Sequence, residues 1–322
     1  MKNLFIDSNV WLSLYHLSND DLVQFGRLKE LIGKDINLLI PQQVCDEVQR
    51  NRETKLKDAL EKFDVKSIQY PAFCKGYDEY VKFNADHSEI VRRYQSWRAK
   101  IDKDIKNQSL PADITIKNFF EVSRIINSEA FVAKAHERFC LGNPPGKNNS
   151  YGDAINWECL LATVPVGEDL YLVSFDKDYR SSIFKDVFNP FLEREWHQKK
   201  NARIFFYTSL TLFLNEHHKD IKLRTEMEKD SLISQLNSST SFHKTHKIIA
   251  ALNQHSGWTS AQIENLCLAV ENNDQVGAIF SDPDVLDFYL NFVFSVDFQQ
   301  SMDSATQRVV DRAIELYSIV KE

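Results

Sequence analysis

No run in the chain approaches the roughly 20 consecutive apolar residues needed to span a bilayer. The start, M-K-N-L-F-I-D, lacks the apolar stretch of a signal peptide, so a cytoplasmic protein with no membrane partner is expected. Cysteine is sparse. Cys45, Cys74, Cys140, Cys159 and Cys267 are dispersed and form no C-x-x-C unit, which favours reduced core thiols over a zinc site. Histidine offers no better transition-metal site, because His217-His218 and His243 with His246 read as exposed polar residues. An excess of positive charge is also missing. The formal net charge of −7 argues against a protein that coats nucleic acid, while leaving room for a local binding surface around bound cations. A Walker A loop is absent too, since three residues separate Gly142 from Gly146 and Lys147 is followed by Asn148. No internal repeat stands out.

What is present is an ordinary globular composition, 43% apolar and 26% charged over 322 residues, enough for one large domain or a catalytic domain with an appended one. Leu4-Phe5-Ile6 reads as a buried strand ending on Asp7, with Ser8 or Asn9 capping the helix that follows. Residues 20–33 read as a helix and 36–40 as a second strand. Pro41 then fits the first turn of the helix Q-Q-V-C-D-E-V-Q-R-N-R, in which Val44 and Val48 pair while Glu47 and Arg50 lie on other faces. Residues 52–139 read as helical, with breaks at 70–71 and 110–113. The most basic aromatic segment there, R-R-Y-Q-S-W-R-A-K at 92–100, suits either a nucleic-acid contact or a solvated helix anchored by Tyr94 and Trp97.

A Gly-, Pro- and Asn-rich loop at 138–153 follows, in which Lys147 reads as a phosphate contact or an exposed lysine. Gly152-Asp153 opens a helix carrying Ile155, Leu160 and Leu161, and the strand at 170–173 ends against Asp176 and Asp178. Residues 203–207 form another strand, after which Thr208 or Ser209 begins a helix. A boundary is expected within 210–240, with the polar run at 235–242 as a linker or an exposed loop. The remainder reads as helical, including 248–253, a helix opened by a Thr or Ser cap at 259–260, and 304–320.

Strands alternating with helices indicate an α/β fold, and ligands of open α/β sheets gather outside the carboxyl ends of strands. Asp7, Glu47, Asp153 and Asp176 come from different elements that can converge at such an end, with Asp178 as an adjacent acid. Packed carboxylates repel one another, and a hard divalent cation relieves that repulsion. Oxygen ligands without thiol or imidazole suit Mg²⁺ or Mn²⁺. The expected chemistry is metal-assisted phosphodiester hydrolysis, in which Asp7 and Asp153 are central ligands, Asp176 a further ligand, and Glu47 a ligand or water-orienting group. Asn9 is placed to orient neighbours, and Arg50 to approach a phosphate or pair with an acid.

The chain resembles the PIN domain nucleases, more narrowly the long bacterial PIN-like proteins. F-I-D-S-N at 5–9 resembles their first acidic motif, and Glu47 in the helix after the second strand resembles the second acid. G-D-A-I at 152–155 is similar to the third motif, and V-S-F-D-K-D-Y at 173–179 to the fourth. The resemblance covers about residues 1–208, with a helical insertion at about 72–140 and a mostly helical accessory region at 209–322. It implies a three-layer α/β/α fold with a parallel sheet of about five strands. It also implies catalytic Asp7, Glu47, Asp153 and Asp176; Ser8, Asn9, Arg50 and Lys147 are the residues expected to serve substrate or orientation. The implied activity is an endoribonuclease acting on single-stranded or structured RNA, less often DNA, in bacterial defence or stress response. A homodimer or a protein partner through the helical regions is a further expectation.

Three other readings use the same acids. A phosphatase of the haloacid-dehalogenase type calls for D-x-D at the first strand, where this chain has D-S-N with Asn9 at the acid-base position. A 5′ flap-type DNA nuclease calls for a denser acidic cluster and a helical clamp. A PIN-like interaction module keeps the fold without catalysis.

Overall fold

In the computed structural model, described over residues 1–61, 63, 68, 70–146, 151–184, 187–255, 258–293 and 304–321, a five-stranded sheet is built around the first strand. That strand, β1 (Lys2–Ile6), buries Leu4, Phe5 and Ile6 completely or nearly so, as a strand covered on both faces requires. Then come α1 (Ser8–Ser13), α2 (Asn19–Gly26) and a 3₁₀ turn at Arg27–Leu31. The single helix expected over 20–33 is thus divided. Gly26, a poor helix former, marks the junction.

β2 (Ile36–Pro41) ends on Pro41, and α3 (Gln42–Glu61) begins one residue later than expected. Pro41 sits at the last register position against Ile126, where a residue without an N–H is tolerated. The predominantly helical region resolves into α4 (Asp78–Lys106), α5 (Pro111–Val122), β3 (Ile125–Ile126) and α6 (Val132–Cys140). β3 is two residues long, too short to show a period in sequence, and it exists as a strand because it pairs with β2. α5 belongs to the sheet's core: Phe119 stacks on Phe25 at 4.7 Å and lies 5.5 Å from the ring of Trp11. α4, by contrast, buries no residue.

α7 (Gly152–Thr163), β4 (Leu170–Val173), α8 (Pro190–Lys200), β5 (Ile204–Tyr207) and α9 (Leu210–His217) complete this part. The strand order is β3-β2-β1-β4-β5, all parallel, so the architecture is the expected three-layer α/β/α. The chain first builds outward from β1 to β2 and β3, then crosses back to β4 on the other side of β1. Between β1 and β4 lies the switch point where such sheets open a crevice.

The C-terminal helices are α10 (Arg224–Asn237), α11 (Phe242–Leu252), α12 (Ser260–Asn272), α13 (Asp274–Ala278), α14 (Pro283–Val293) and α15 (Ser304–Lys321). They share a core of their own, with Leu236, Leu252, Leu266 and Phe280 fully buried. The run at 235–242 is a largely exposed turn within the helical region rather than a linker. Its first three residues finish α10 and a tight turn then leads into α11, where Asn273 Nδ2 reaches the carbonyls of Leu236, Asn237 and Ser239 at 3.2, 2.9 and 3.0 Å. Ser239 also bonds Thr245 at 2.8 Å. Polar composition marked a tight, well-bonded turn here, since Ser and Asn satisfy backbone groups as readily as they face water.

Two buried contacts join this core to the sheet. Asp21 of α2 accepts from the first amides of α10, Arg224 N at 2.6 Å and Thr225 N at 3.2 Å. Glu264 of α12, almost fully buried, meets Lys177 Nζ at 2.9 Å and Arg180 Nη1 at 3.3 Å. Among the described residues, no helix is long and apolar enough to cross a membrane.

Candidate metal centre

The site is assembled by strand pairing. The amide of Asp7 donates to Val173 O at 3.0 Å, and that of Ser174 to Tyr207 O at 3.1 Å, so the two residues just past β1 and β4 stand side by side. Asp7, rather than Ser8 or Asn9, is the N-cap of α1, its Oδ1 accepting from Ser8 N at 2.7 Å. Its other oxygen accepts from Ser174 Oγ at 2.6 Å, and Ser174 Oγ accepts in turn from Asp176 N at 3.0 Å. Asp176 Oδ1 caps the 3₁₀ turn Lys177–Tyr179 through Asp178 N at 2.8 Å, and Asp178 Oδ2 accepts from Gly146 N at 3.0 Å. A continuous hydrogen-bonded line therefore runs from the end of β1, through the loop after β4, to the segment preceding α7.

Glu47 approaches from α3, held by Gln43 Nε2 at 2.7 Å. The reason for glycine in Gly152-Asp153 is this approach: a Cβ at Gly152 would lie 2.0 Å from Glu47 Oε1. Gly152 is the first residue of α7 and does not have a positive φ, so no left-handed turn demands glycine there. Asp153 follows in the first turn of α7, and one carboxylate oxygen from each of Asp153, Asp176 and Asp178 lies within 4.8 Å of the others.

Burial and the charge of neighbouring acids act on Asp7 and Asp153. Desolvation pushes the Asp7 carboxyl up to about 7, the Ser174 hydrogen bond opposes this, and the nearby Asp176 and Glu47 charges add to it. Asp153 is raised well above the carboxylate range, first by burial and then by Asp176, Asp7, Glu47 and Asp178. Asp153 thus feels the charge of the four other acids. Tyr179, fully buried beside them, is pushed far above the usual phenol range by burial and by the same carboxylates, and its hydroxyl donates to Asp153 O at 3.4 Å. The donor set is oxygen throughout, in carboxylates brought within reach of one another at a strand end, which fits a hard divalent cation.

Ser8 is buried against Asp7, and Asn9 is half-buried, its Oδ1 without a hydrogen-bond partner among the described residues. Arg50, one turn beyond Glu47 on α3, is exposed. Lys147 lies outside the described residues. In the basic aromatic segment, Tyr94 serves as an anchor by donating to Phe63 O at 2.7 Å, and Arg98 is engaged with Asp102 at 3.0 Å. Trp97 remains 58% exposed.

Sequence reasoning passed over several residues. Ser174 is a small polar residue between an aliphatic strand and an acid, and its partner Asp7 lies 167 positions away, so it carried no local signal. Gln43 stands four residues before Glu47, the helical spacing at which side chains meet. Asn156, one turn after Asp153, is fully buried with neither amide atom hydrogen-bonded among the described residues. Glu264 carried no local signal, since its partners lie 84 and 87 positions away.

No curated protein and no solved structure matches the chain. A family model of the PIN domain does match, over residues 4–179, more than half of the sequence and every one of the five acids. The chain, with its parallel sheet and its acids gathered at the β1–β4 switch point, belongs to the PIN domain family.

Proposed function

We propose that this PIN domain is a divalent-metal-dependent endoribonuclease, with Asp7, Glu47, Asp153 and Asp176 as its catalytic acids and Mg²⁺ or Mn²⁺ as its cofactor. The observation that carries the reading is the gathering of Asp153, Asp176 and Asp178, one carboxylate oxygen of each within 4.8 Å of the others, with Asp7 and Glu47 close enough for their charges to act on Asp153. Asp153, Asp176 and Asp178 would hold the cation, with Asp7 and Glu47 completing the ring. A bound divalent cation supplies Lewis-acid activation of water and neutralises charge on a phosphodiester. Ser174 fixes the Asp7 carboxylate and the Asp176 backbone relative to each other, and Gln43 fixes Glu47. Asn9, with an oxygen unengaged by described residues, and Ser8 are the groups we assign to orienting substrate at the mouth of α1. Arg50 is the phosphate contact on the α3 side.

RNA is favoured over DNA as substrate by the resemblance of the four acidic motifs, and the same resemblance motivates a cytoplasmic role in bacterial defence or stress. For the division of the chain, we place the end of the nuclease unit after Leu223 rather than at 208. Leu210, Phe213, Leu214, Ile221 and Leu223 all pack into the core of the sheet, and the second core starts at Ile233.

The test is a substrate panel. Purified protein is incubated with labelled single-stranded RNA, hairpin RNA, single- and double-stranded DNA, and a phosphomonoester, each with Mn²⁺ or Mg²⁺. Cleavage of RNA within the chain is the expected result. Turnover of the phosphomonoester alone establishes the phosphatase reading instead, and cleavage confined to DNA establishes the DNA-directed one.

A further inference from the structure

α4 extends through 29 residues, about 43 Å at 1.5 Å per residue, and buries none of them. One of its faces rests on its own chain. Tyr80, His87, Tyr94 and Ile101 are half-buried, with Tyr80 5.1 Å from the ring of Tyr70 and Tyr94 5.2 Å from that of Phe63. The neighbouring ridge faces outward. It consists of Glu79, Phe83, Asp86, Ile90, Arg93, Trp97 and Lys100, spaced alternately by four and three residues, the 3.5-residue period of a two-stranded coiled coil. Phe83, Ile90 and Trp97 are 54%, 56% and 58% exposed, although Phe63 and Tyr70 touch the flanks of Trp97 and Phe83. Three large apolar side chains repeated every seven residues on an outward ridge are more than scattered surface hydrophobics.

The charges on this ridge are ordered. The acids Glu79 and Asp86 occupy its N-terminal half, and the bases Arg93 and Lys100 its C-terminal half. About Ile90 as centre, Phe83 mirrors Trp97, while Asp86 mirrors Arg93 and Glu79 mirrors Lys100 to within one residue. A ridge of this kind complements itself when a second copy runs antiparallel. Laid parallel and in register, it sets Glu79 against Glu79, Asp86 against Asp86 and Arg93 against Arg93. We propose that α4 is a dimerisation arm, pairing antiparallel with α4 of a second copy about a two-fold axis at Ile90. Such an interface is isologous, so each of the two ion pairs occurs twice. Glu79 meets Lys100 of the partner subunit and Asp86 meets Arg93 of the partner subunit. Arg93 also pairs with Glu89 of its own helix at 2.8 Å, an exposed contact that engages only part of its five-donor fork.

This inference is independent of the nuclease reading, because its readout is mass rather than activity. Sedimentation velocity of the full chain over a concentration series compares wild type with Glu79→Lys/Asp86→Lys, with Arg93→Glu/Lys100→Glu, and with all four substitutions together. All seven ridge residues lie on the surface, and circular dichroism checks that each variant stays folded. The expected result is a wild-type dimer, a dissociation constant raised about tenfold or more in each double variant, and recovery of the dimer in the quadruple variant. A wild type monomeric at about 100 μM, double variants that dimerise like wild type, or a quadruple variant that stays monomeric would each overturn the proposal. So would the nucleic-acid alternative, in which Arg93→Glu/Lys100→Glu weakens RNA binding and leaves the mass unchanged.

Discussion

At the scale of single residues, the site is a balance between repulsion and fixed geometry. Asp7 is raised to about 7 and Asp153 is raised well above its ordinary value. A carboxyl held above its unfolded value binds its proton more tightly in the folded state, so its stabilising contribution is complete below about pH 4. That contribution is lost as pH rises through about 7 for Asp7. Metal-free protein is therefore expected to melt at a lower temperature at pH 8 than at pH 5. Added Mn²⁺ should raise the melting temperature more at pH 8, where it no longer competes with the proton. Equal metal-induced shifts at both pH values would count against a cation held by these two acids. Ser174→Ala removes the hydroxyl between Asp7 and Asp176, and we expect metal affinity to fall by about 10–100-fold, measured by titration calorimetry, with the fold intact.

At the scale of elements, two contacts carry the arrangement. Gly152 admits Glu47 to the start of α7, so Gly152→Ala should displace the Glu47 carboxylate and reduce cleavage with little change in melting temperature. Wild-type cleavage by that variant would show that the position of Glu47 is unimportant. Glu264 straddles the acidic loop from outside, binding Lys177 and Arg180 on either side of Asp178. Glu264→Ala leaves Arg180 buried without its counter-charge and is expected to cost about 3 kcal/mol of stability, read by chemical denaturation.

The elements also explain what was legible in sequence. The strands β4 and β5 were readable as continuous aliphatic or aromatic runs, and β1 and β2 through the apolar runs they carry at Leu4–Ile6 and Leu38–Ile40. β3 was not, because two residues acquire their conformation from pairing with β2 alone. The N-cap of α1 fell to Asp7 instead of Ser8 or Asn9, since the last strand residue and the first helical residue leave a single position between them. Asp7, Asp153 and Asp176 could be read from the ends of their elements. Ser174 and Glu264 act through partners brought together by pairing and packing, which no local pattern encodes.

At the scale of the whole molecule, a chain of net charge −7 clusters Asp153, Asp176 and Asp178 at one end of a parallel sheet, with Asp7 and Glu47 near enough to act on Asp153. Substrate binding to such a site is expected to depend on the cation, because the carboxylates by themselves repel a phosphodiester. The most direct measurement follows cleavage of labelled single-stranded RNA by EDTA-treated protein before and after Mn²⁺ is restored, with wild type beside Asp7→Asn and Asp153→Asn. No cleavage is expected without metal, with recovery in wild type when Mn²⁺ is added and at least about 100-fold less in either variant. Cleavage that persists in EDTA, or that both variants carry out at the wild-type rate, would contradict the proposed mechanism.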